Sequence, residues 1–421
     1  MKNGRLIGCI ADDFTGAGDV ASFFKKGNMR TVLFNGIPHE SCDGDYDAAV
    51  IALKTRTQET AAAVKSSMEA MDWLLEQGCQ HIYIKYCSTF DSTPQGNIGP
   101  VVDAAMEKLK VPCTILCPAL PVNGRTVENG KLYVNGIPLH QSHMRHHPLT
   151  PMWDSDISQL MRPQGKYPCV GISRAELYSD KSCLKNKLRE FSRRHDRFYI
   201  VPDFVCDKDA ERIVSLFGSL KLLTGGSGLA ECLGKFYCGS KIRSAKYDSA
   251  VGKAMILAGS CSKATLGQIN HFISEGGYAI KIFPEKLLSG EQNVKSILAE
   301  AAQLEEVLIY SSDTPENVKR NQAKGKEGVS LLLESATAEI ARQATCMGFT
   351  RFIVAGGETS GAVTQSLGYN AFSVGECVSP GVPILIPMEN EKIRLVLKSG
   401  NFGEEAFFRA ALEATGIQDS K

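Results

Sequence analysis

Two adjacent carboxylates, Asp12 and Asp13, stand where the apolar run Ile7-Gly8-Cys9-Ile10-Ala11 breaks off, followed by the hydroxyl of Thr15, the glycines Gly16 and Gly18, and Asp19. Such a pair, placed between a strand and a helix, can bind sugar hydroxyls, deprotonate an alcohol or hold a metal. Helix capping would require only one of them. The G-A-G-D-V-A spacing also fits a dinucleotide fingerprint, but the carboxylates would repel a pyrophosphate. In addition, the acidic residue expected about 20 positions on is missing, because the second strand ends Leu33-Phe34-Asn35. A second polar cluster runs from Lys85 to Asn97 and includes Asp91 and Ser92. It offers one cation for an acid, with hydroxyls and amides for a polyol. Lys54-Thr55-Arg56 adds two cations on what should be the same edge, and the planar fork of Arg56 suits a carboxylate. Arg125, in a turn further on, is a candidate anion clamp.

A third group of residues lies more than two hundred positions later. Ser260 and Ser262 follow one strand, and Gly356-Gly357-Glu358-Thr359-Ser360 follow another and open a helix. Lys398-Ser399-Gly400-Asn401-Phe402-Gly403 follow a third. Glycine-rich turns at helix amino termini expose backbone N–H groups that favour phosphate. No G-x-x-x-x-G-K-[ST] string occurs, so the device is not a Walker loop. Thr224-Gly225-Gly226-Ser227-Gly228 reads either as a cleft lining or as a tight strand-to-helix turn. His140, His143, His146 and His147 have neither a regular helix nor neighbouring cysteines, and we read them as loop residues rather than metal ligands. No protein metal site is expected.

These groups need elements to hold them at one edge. Short apolar strands alternate with amphipathic helix-length stretches from residue 5 to about 240, which predicts a mostly parallel α/β sheet with helices on both faces. Loops at the carboxyl ends of its strands would carry the site. The run V-N-G-R-T-V-E-N-G-K-L-Y-V-N-G interrupts this rhythm with three Asn-Gly pairs, a β-hairpin excursion followed by an irregular stretch, His140 to Pro151. A polar linker near Gly239 to Asp248 separates a second α/β unit, which contains a charged loop from Asp313 to Lys326. The expected architecture is therefore two α/β domains with mostly parallel sheets, residues 1–243 and 244–421.

Composition excludes several classes. The 421 residues are 43% hydrophobic and 22% charged, with a net charge of +1, so there is no basic footprint for nucleic acid. No apolar stretch is long enough for a membrane span, and no signal-peptide pattern precedes the first strand. The 14 cysteines are scattered, with no C-x-x-C pair, as reduced residues of a cytoplasmic protein would be. A homodimer is the default oligomer.

The strings A-D-D-F-T-G-A-G-D, D-S-T-P-Q-G-N, P-A-L-P-V-N-G-R-T, T-G-G-S-G, G-G-E-T-S-G and V-S-P-G-V-P together resemble the four-carbon acid sugar kinase family over essentially the whole chain. The resemblance implies that the first domain binds a sugar acid, that the second binds ATP with Mg²⁺, and that phosphate passes to the acid's terminal C4 hydroxyl, leaving ADP. Domain closure would exclude water during transfer. Carried onto this sequence, the acid would meet Asp12, Asp13, Thr15, Arg56, Lys85, Asp91, Ser92, Asn97 and Arg125. Asp12 or Asp13 would act as base, and Arg56 and Lys85 would hold the carboxylate. The nucleotide would meet Ser260, Ser262, Gly356 to Ser360, and Gly400 or Gly403. Within the family, K-Y-C-S-T-F-D-S-T-P-Q-G-N is most similar to the 3-oxo-tetronate branch. Threonate and erythronate kinases carry a shorter K-x-D-S-T-L-R-G-N; here Ser88-Thr89-Phe90 is added and Pro94-Gln95 replaces Leu-Arg. A D-threonate or D-erythronate 4-kinase is the alternative. A dinucleotide-dependent oxidoreductase and a non-catalytic sugar-acid sensor are the rivals from other classes.

Overall fold

The computed structural model describes residues 6–39, 44–147, 150–239, 250–313 and 326–416. The expected linker and the charged loop after Asp313 fall almost wholly outside these residues. The chain divides into two compact units, Met1–Ser244 and Ala245–Lys421.

The first unit holds β1 (Ile7–Ala11), β2 (Thr31–Asn35), β3 (Ala48–Ala52), β4 (His81–Lys85), β5 (Cys113–Cys117), β6 (Arg125–Glu128), β7 (Lys131–Val134), β8 (Ile137–Pro138), β9 (Cys169–Ile172), β10 (Phe198–Pro202) and β11 (Leu222–Gly225). Eight of them form a parallel sheet in the order β2-β3-β1-β4-β11-β5-β10-β9. Residues of β1 and β3 are buried throughout, as strands covered on both faces must be. Gly8 faces Leu74 of the helix Thr60–Glu76. Tyr83, the register partner of Cys9, meets Phe24 of the helix Phe14–Lys26 edge-on. The two helices therefore cover opposite faces.

Register decides the site. Ala11 pairs with Ala52 on one side and with Lys85 on the other. Strands β1, β3 and β4 thus end level, and the segments that follow them emerge side by side. Main-chain bonds extend this beyond the strands: Asp12 N donates to Lys85 O (3.1 Å), and Thr55 N donates to Asp12 O (3.0 Å).

The excursion is larger than the single hairpin expected. Strands β6, β7 and β8 form a three-stranded antiparallel sheet. Asn129-Gly130 and Asn135-Gly136 are two-residue turns with positive φ at both positions (51° and 72°; 51° and 77°), as a type I′ turn requires. The first Asn-Gly pair closes a 3₁₀ turn, Pro121–Asn123, instead. The irregular stretch contains two further 3₁₀ turns, Leu139–Gln141 and His143–His146; its residues 148 and 149 lie outside the described residues.

The second unit holds β12 (Lys253–Ala258), β13 (Ala279–Lys281), β14 (Glu306–Tyr310), β15 (Phe349–Ala355), β16 (Ala371–Ser379), β17 (Val382–Pro387) and β18 (Arg394–Lys398), in the order β13-β14-β12-β15-β18-β17-β16. The first five run parallel, and β17 is antiparallel to both its neighbours. Sequence patterning did not identify β17, because proline ordinarily demotes a run. Pro383 sits where the register with β16 is irregular and Pro387 is the strand's last residue, so neither missing N–H breaks the ladder. The helix Phe407–Thr415 was also unforeseen. It packs Phe407, Phe408 and Leu412 with Phe272 against Ile256 and Ile353 of the sheet.

Candidate functional site

At the level ends of β1, β3 and β4 the first unit has a small, partly open pocket. Its polar lining includes Asp12, Thr55, Arg56, Lys85, Asp91, Ser92 and Asn97, over apolar residues that include Ile10, Ile84 and Val101. Arg56 Nε and Nη2 donate to Asp12 Oδ2 and Oδ1, at 2.9 Å each, and Nη2 also lies 3.0 Å from Asp13 Oδ1. This is the bidentate geometry for which guanidinium is suited. Asp13 caps the helix Phe14–Lys26: Oδ1 accepts from Gly16 N and Oδ2 from Thr15 Oγ1, both at 2.9 Å. The capping alternative therefore describes Asp13, whereas Asp12 faces the cavity.

The environments separate the two carboxyls. Burial pushes the Asp12 carboxyl up, with Arg56 opposing. At Asp13 burial acts in the same direction but is outweighed by Arg56, Lys85, Thr15 and the Gly16 N–H, which hold it below the usual carboxylate range. Paired titratable groups driven apart in this way are a pattern of acid–base sites.

Lys85 is buried and donates to Tyr86 O (2.9 Å), leaving two of its three ammonium protons. Thr89 Oγ1 donates to Asp91 Oδ1 (2.6 Å), and Ser92 Oγ donates to Gln164 Oε1 (3.0 Å). Asn97 is committed to positioning: its amide donates to Thr55 O (2.7 Å) and Gln58 O (2.8 Å), and its oxygen accepts from Thr60 Oγ1 (2.9 Å). Phe90, fully buried and edge-on to Tyr86, has a φ of 51°. Left-handed backbone at such a residue costs about 1–3 kcal/mol and is typical of functional sites. Asp91 and Ser92, which line the cavity, follow Phe90 directly.

Arg125 and the T-G-G-S-G turn lie outside this cavity's lining. Tyr83 Oη donates to Gly226 O (2.5 Å), Ser227 Oγ donates to Asp19 Oδ2, and the other Asp19 oxygen is buried with no partner. Burial raises the Asp19 carboxyl, opposed by Lys85, Ser227 and Arg125. Asp19 was not among the expected site residues. Its signal was its place one turn into the first helix, behind the paired carboxylates. His140 Nδ1 contacts Ser155 Oγ and His147 Nδ1 contacts Thr150 Oγ1, each at 2.8 Å. Among the described residues no cluster of His, Cys, Asp or Glu has metal-holding geometry.

In the second unit an open cavity is lined by Gly259, Ser260, Ser311, Gly356, Gly357, Glu358 and Thr359, and by Ser330, Leu333, Glu334 and Thr337 of the helix Lys326–Thr345. Parallel pairing of β14, β12 and β15 places these turns side by side. The third turn joins them from β18: a side chain at Gly400 would overlap Ser260 Oγ, and one at Gly259 would overlap Thr359 Oγ1. Ser262 Oγ donates to Gly400 O (2.6 Å). Of the expected nucleotide residues, Ser262, Ser360, Gly400 and Gly403 do not line this cavity. Ser311, Ser330, Glu334 and Thr337 were missed. Ser311 could have been found by its position after β14; the residues of the helix carry no motif.

A pocket of carboxylates with Arg56 and Lys85 in one unit, and clustered glycine turns in another, match the arrangement expected of a phosphotransferase. Residues 7–233 match the model of a sugar-binding N-terminal domain, and residues 255–408 match that of a nucleotide-binding C-terminal domain. The chain is 40% identical over 425 residues to a 3-oxo-tetronate kinase of Brucella melitensis, covering 99% of this chain and 97% of that one. It is 43% identical to a 3-oxo-tetronate kinase of Pseudomonas fluorescens, covering 97% and 96%. A crystal structure of a Haemophilus influenzae protein superposes with a TM-score of 0.82 at 38% identity, covering 97% and 100%. The chain belongs to the four-carbon acid sugar kinase family.

Proposed function

We propose that the protein transfers the γ-phosphate of ATP to the C4 hydroxyl of 3-oxo-tetronate, giving 3-oxo-tetronate 4-phosphate and ADP. The observation that carries this reading is the Asp12–Arg56 pair in the lining of a cavity that also presents Lys85, Asp91 and Ser92. Phosphoryl transfer depends on positioning and charge neutralisation more than on covalent chemistry. In this reading Asp12 accepts the hydroxyl proton and Arg56 orients it. Lys85 holds the acid's carboxylate, and Asp91 and Ser92 meet its oxygens. Arg56 is engaged by both aspartates, which favours Lys85 over Arg56 as the carboxylate partner.

ATP docks on the turns at Ser260 and Gly356 to Thr359, with Gly400 packed behind Ser260. The hydroxyls and carboxylates lining that cavity are hard oxygen donors, which fit Mg²⁺ carried on the ATP phosphates. Magnesium supplies neutralisation of phosphate charge. Among the described residues no helix is long and apolar enough to cross a membrane, and a cytoplasmic location, with ATP at hand, is part of the proposal.

The test is ADP release over a panel of C4 acids and their 3-oxo forms. Turnover of 3-oxo-tetronate is the expected result. Activity confined to threonate or erythronate would move the chain to the neighbouring branch, and no ADP release with any acid would overturn the kinase reading.

A further inference from the structure

Lys398 ends β18 with its side chain wholly buried. Its Nζ donates to Thr265 Oγ1 (3.0 Å) and Gly400 O (3.2 Å). Thr265 Oγ1 in turn donates to Gly400 O (2.9 Å), so the threonine relays the ammonium to the same carbonyl. The main chain of Lys398 serves another turn, since its carbonyl accepts from Gly356 N (3.0 Å). Gly400 packs directly on Ser260 of the remaining turn. One residue is thereby tied to all three glycine turns.

A buried ammonium is unfavourable without a counter-ion. Among the described residues no carboxylate pairs with Lys398, and burial lowers its amine to about 7. The elements around it present the Thr265 hydroxyl, the Gly400 carbonyl and the Phe407 ring, whose centre is 5.8 Å from Nζ. Charged groups on those elements are directed elsewhere. Lys263, Glu358, Glu404 and Glu405 are exposed, His271 lies 3.4 Å from Glu275, Arg409 pairs with Glu275 and Glu306, Arg351 lies by Glu306, and Arg394 donates to the Glu391 and Ile393 carbonyls. A methionine would fill the same space with no desolvation penalty. A polyphosphate on the adjacent turns is the anion whose field would offset that penalty.

We infer that Lys398 is a positioning residue of the nucleotide site, holding the Gly400 turn through its carbonyl and Thr265 so that the turn braces Ser260, which lines the cavity that receives the ATP phosphates. The inference rests on the reading that ATP docks on the second unit. Because the charged amine does the holding, nucleotide affinity falls as pH rises and the amine loses its proton.

Calorimetric titration of the full chain with Mg²⁺-ATP at pH 6.5 and 8.5, on the wild type, Lys398→Met and Thr265→Val, tests it. Lys398→Met should weaken ATP roughly tenfold or more at pH 6.5, the loss expected for a hydrogen bond to a charged group. Its Tm should be unchanged or higher, which a merely structural lysine would not produce. Wild-type affinity should fall between the two pH values by more than that of Lys398→Met, a difference that cancels titration of ATP itself. Thr265→Val, which keeps the lysine, should weaken ATP in the same direction and serves if the methionine variant does not fold. Wild-type affinity in Lys398→Met, or an identical pH dependence in both proteins, overturns the inference alone. A wild type that binds no ATP overturns the nucleotide reading and this inference with it.

Discussion

Arg56 grips Asp12 at both carboxylate oxygens, 2.9 Å each, while the same guanidinium stands 3.0 Å from Asp13. One cation therefore orders two adjacent carboxylates that the backbone directs differently, one to the cavity and one to a helix amino terminus.

The first prediction concerns pH. Burial raises the Asp12 carboxyl and Arg56 opposes it, so Arg56→Ala should raise it further and leave the base protonated over a wider range. The acidic limb of the kcat/KM profile should move to higher pH by about 1 to 3 units, the usual effect of losing a close opposite charge. Asp12→Asn should lower kcat by about 10² to 10⁴-fold. An unmoved limb in Arg56→Ala, measured alongside near-normal kcat in Asp12→Asn, would exclude Asp12 as the base.

Capping and charge can be separated at Asp13. Asp13→Ala removes the acceptor for Gly16 N and should cost about 1 kcal/mol in urea unfolding at pH 7. Asp13→Asn keeps an acceptor and should lose less. The folded carboxyl is held below its unfolded value, so its charge stabilises the fold above the unfolded value, about 3.9. That contribution is lost as pH falls through the lower, folded value. Asp13→Asn should therefore flatten stability against pH below about 4, and an unchanged acid slope would contradict the assignment.

The glycine turns predict a split between substrates. A methyl group at Gly400 would overlap Ser260 Oγ, and one at Gly259 would overlap Thr359 Oγ1. Overpacking of this kind costs typically about 1–3 kcal/mol. Either alanine substitution should raise the KM for ATP by roughly tenfold. Calorimetric affinity for the acid, whose proposed residues all lie in the other unit, should not change. A parallel loss of acid binding would show that the two sites are not built independently.

Much of the architecture was legible because its signals are local. The alternation of apolar strands and amphipathic helices follows from chain period alone, and β4, β5, β9 and β14 are short, mostly apolar runs of the expected kind. The Asn-Gly pairs marked turns because Asn and Gly tolerate positive φ, although the sequence did not distinguish two hairpin turns from one 3₁₀ closure. Strand β17 escaped because the acceptability of Pro383 depends on an irregular register with β16, a property of the pairing and not of the run.

For the site, the sequence by itself determined which residue types follow which strands: carboxylates after β1, cations after β3 and at the end of β4, and glycines after β12, β15 and β18. That information is local, since strand ends and helix starts are written in adjacent residues. Only the tertiary structure decided what each group does. The level register of β1, β3 and β4 brought Arg56 to Asp12 across 44 positions, turned Asn97 into a brace between Thr55 and Thr60, and left Asp13 as a cap. In the second unit, packing of β18 against the helix that carries Thr265 enclosed Lys398 among uncharged partners. Partnership and burial depend on which strands become neighbours, and no spacing along the chain encodes that.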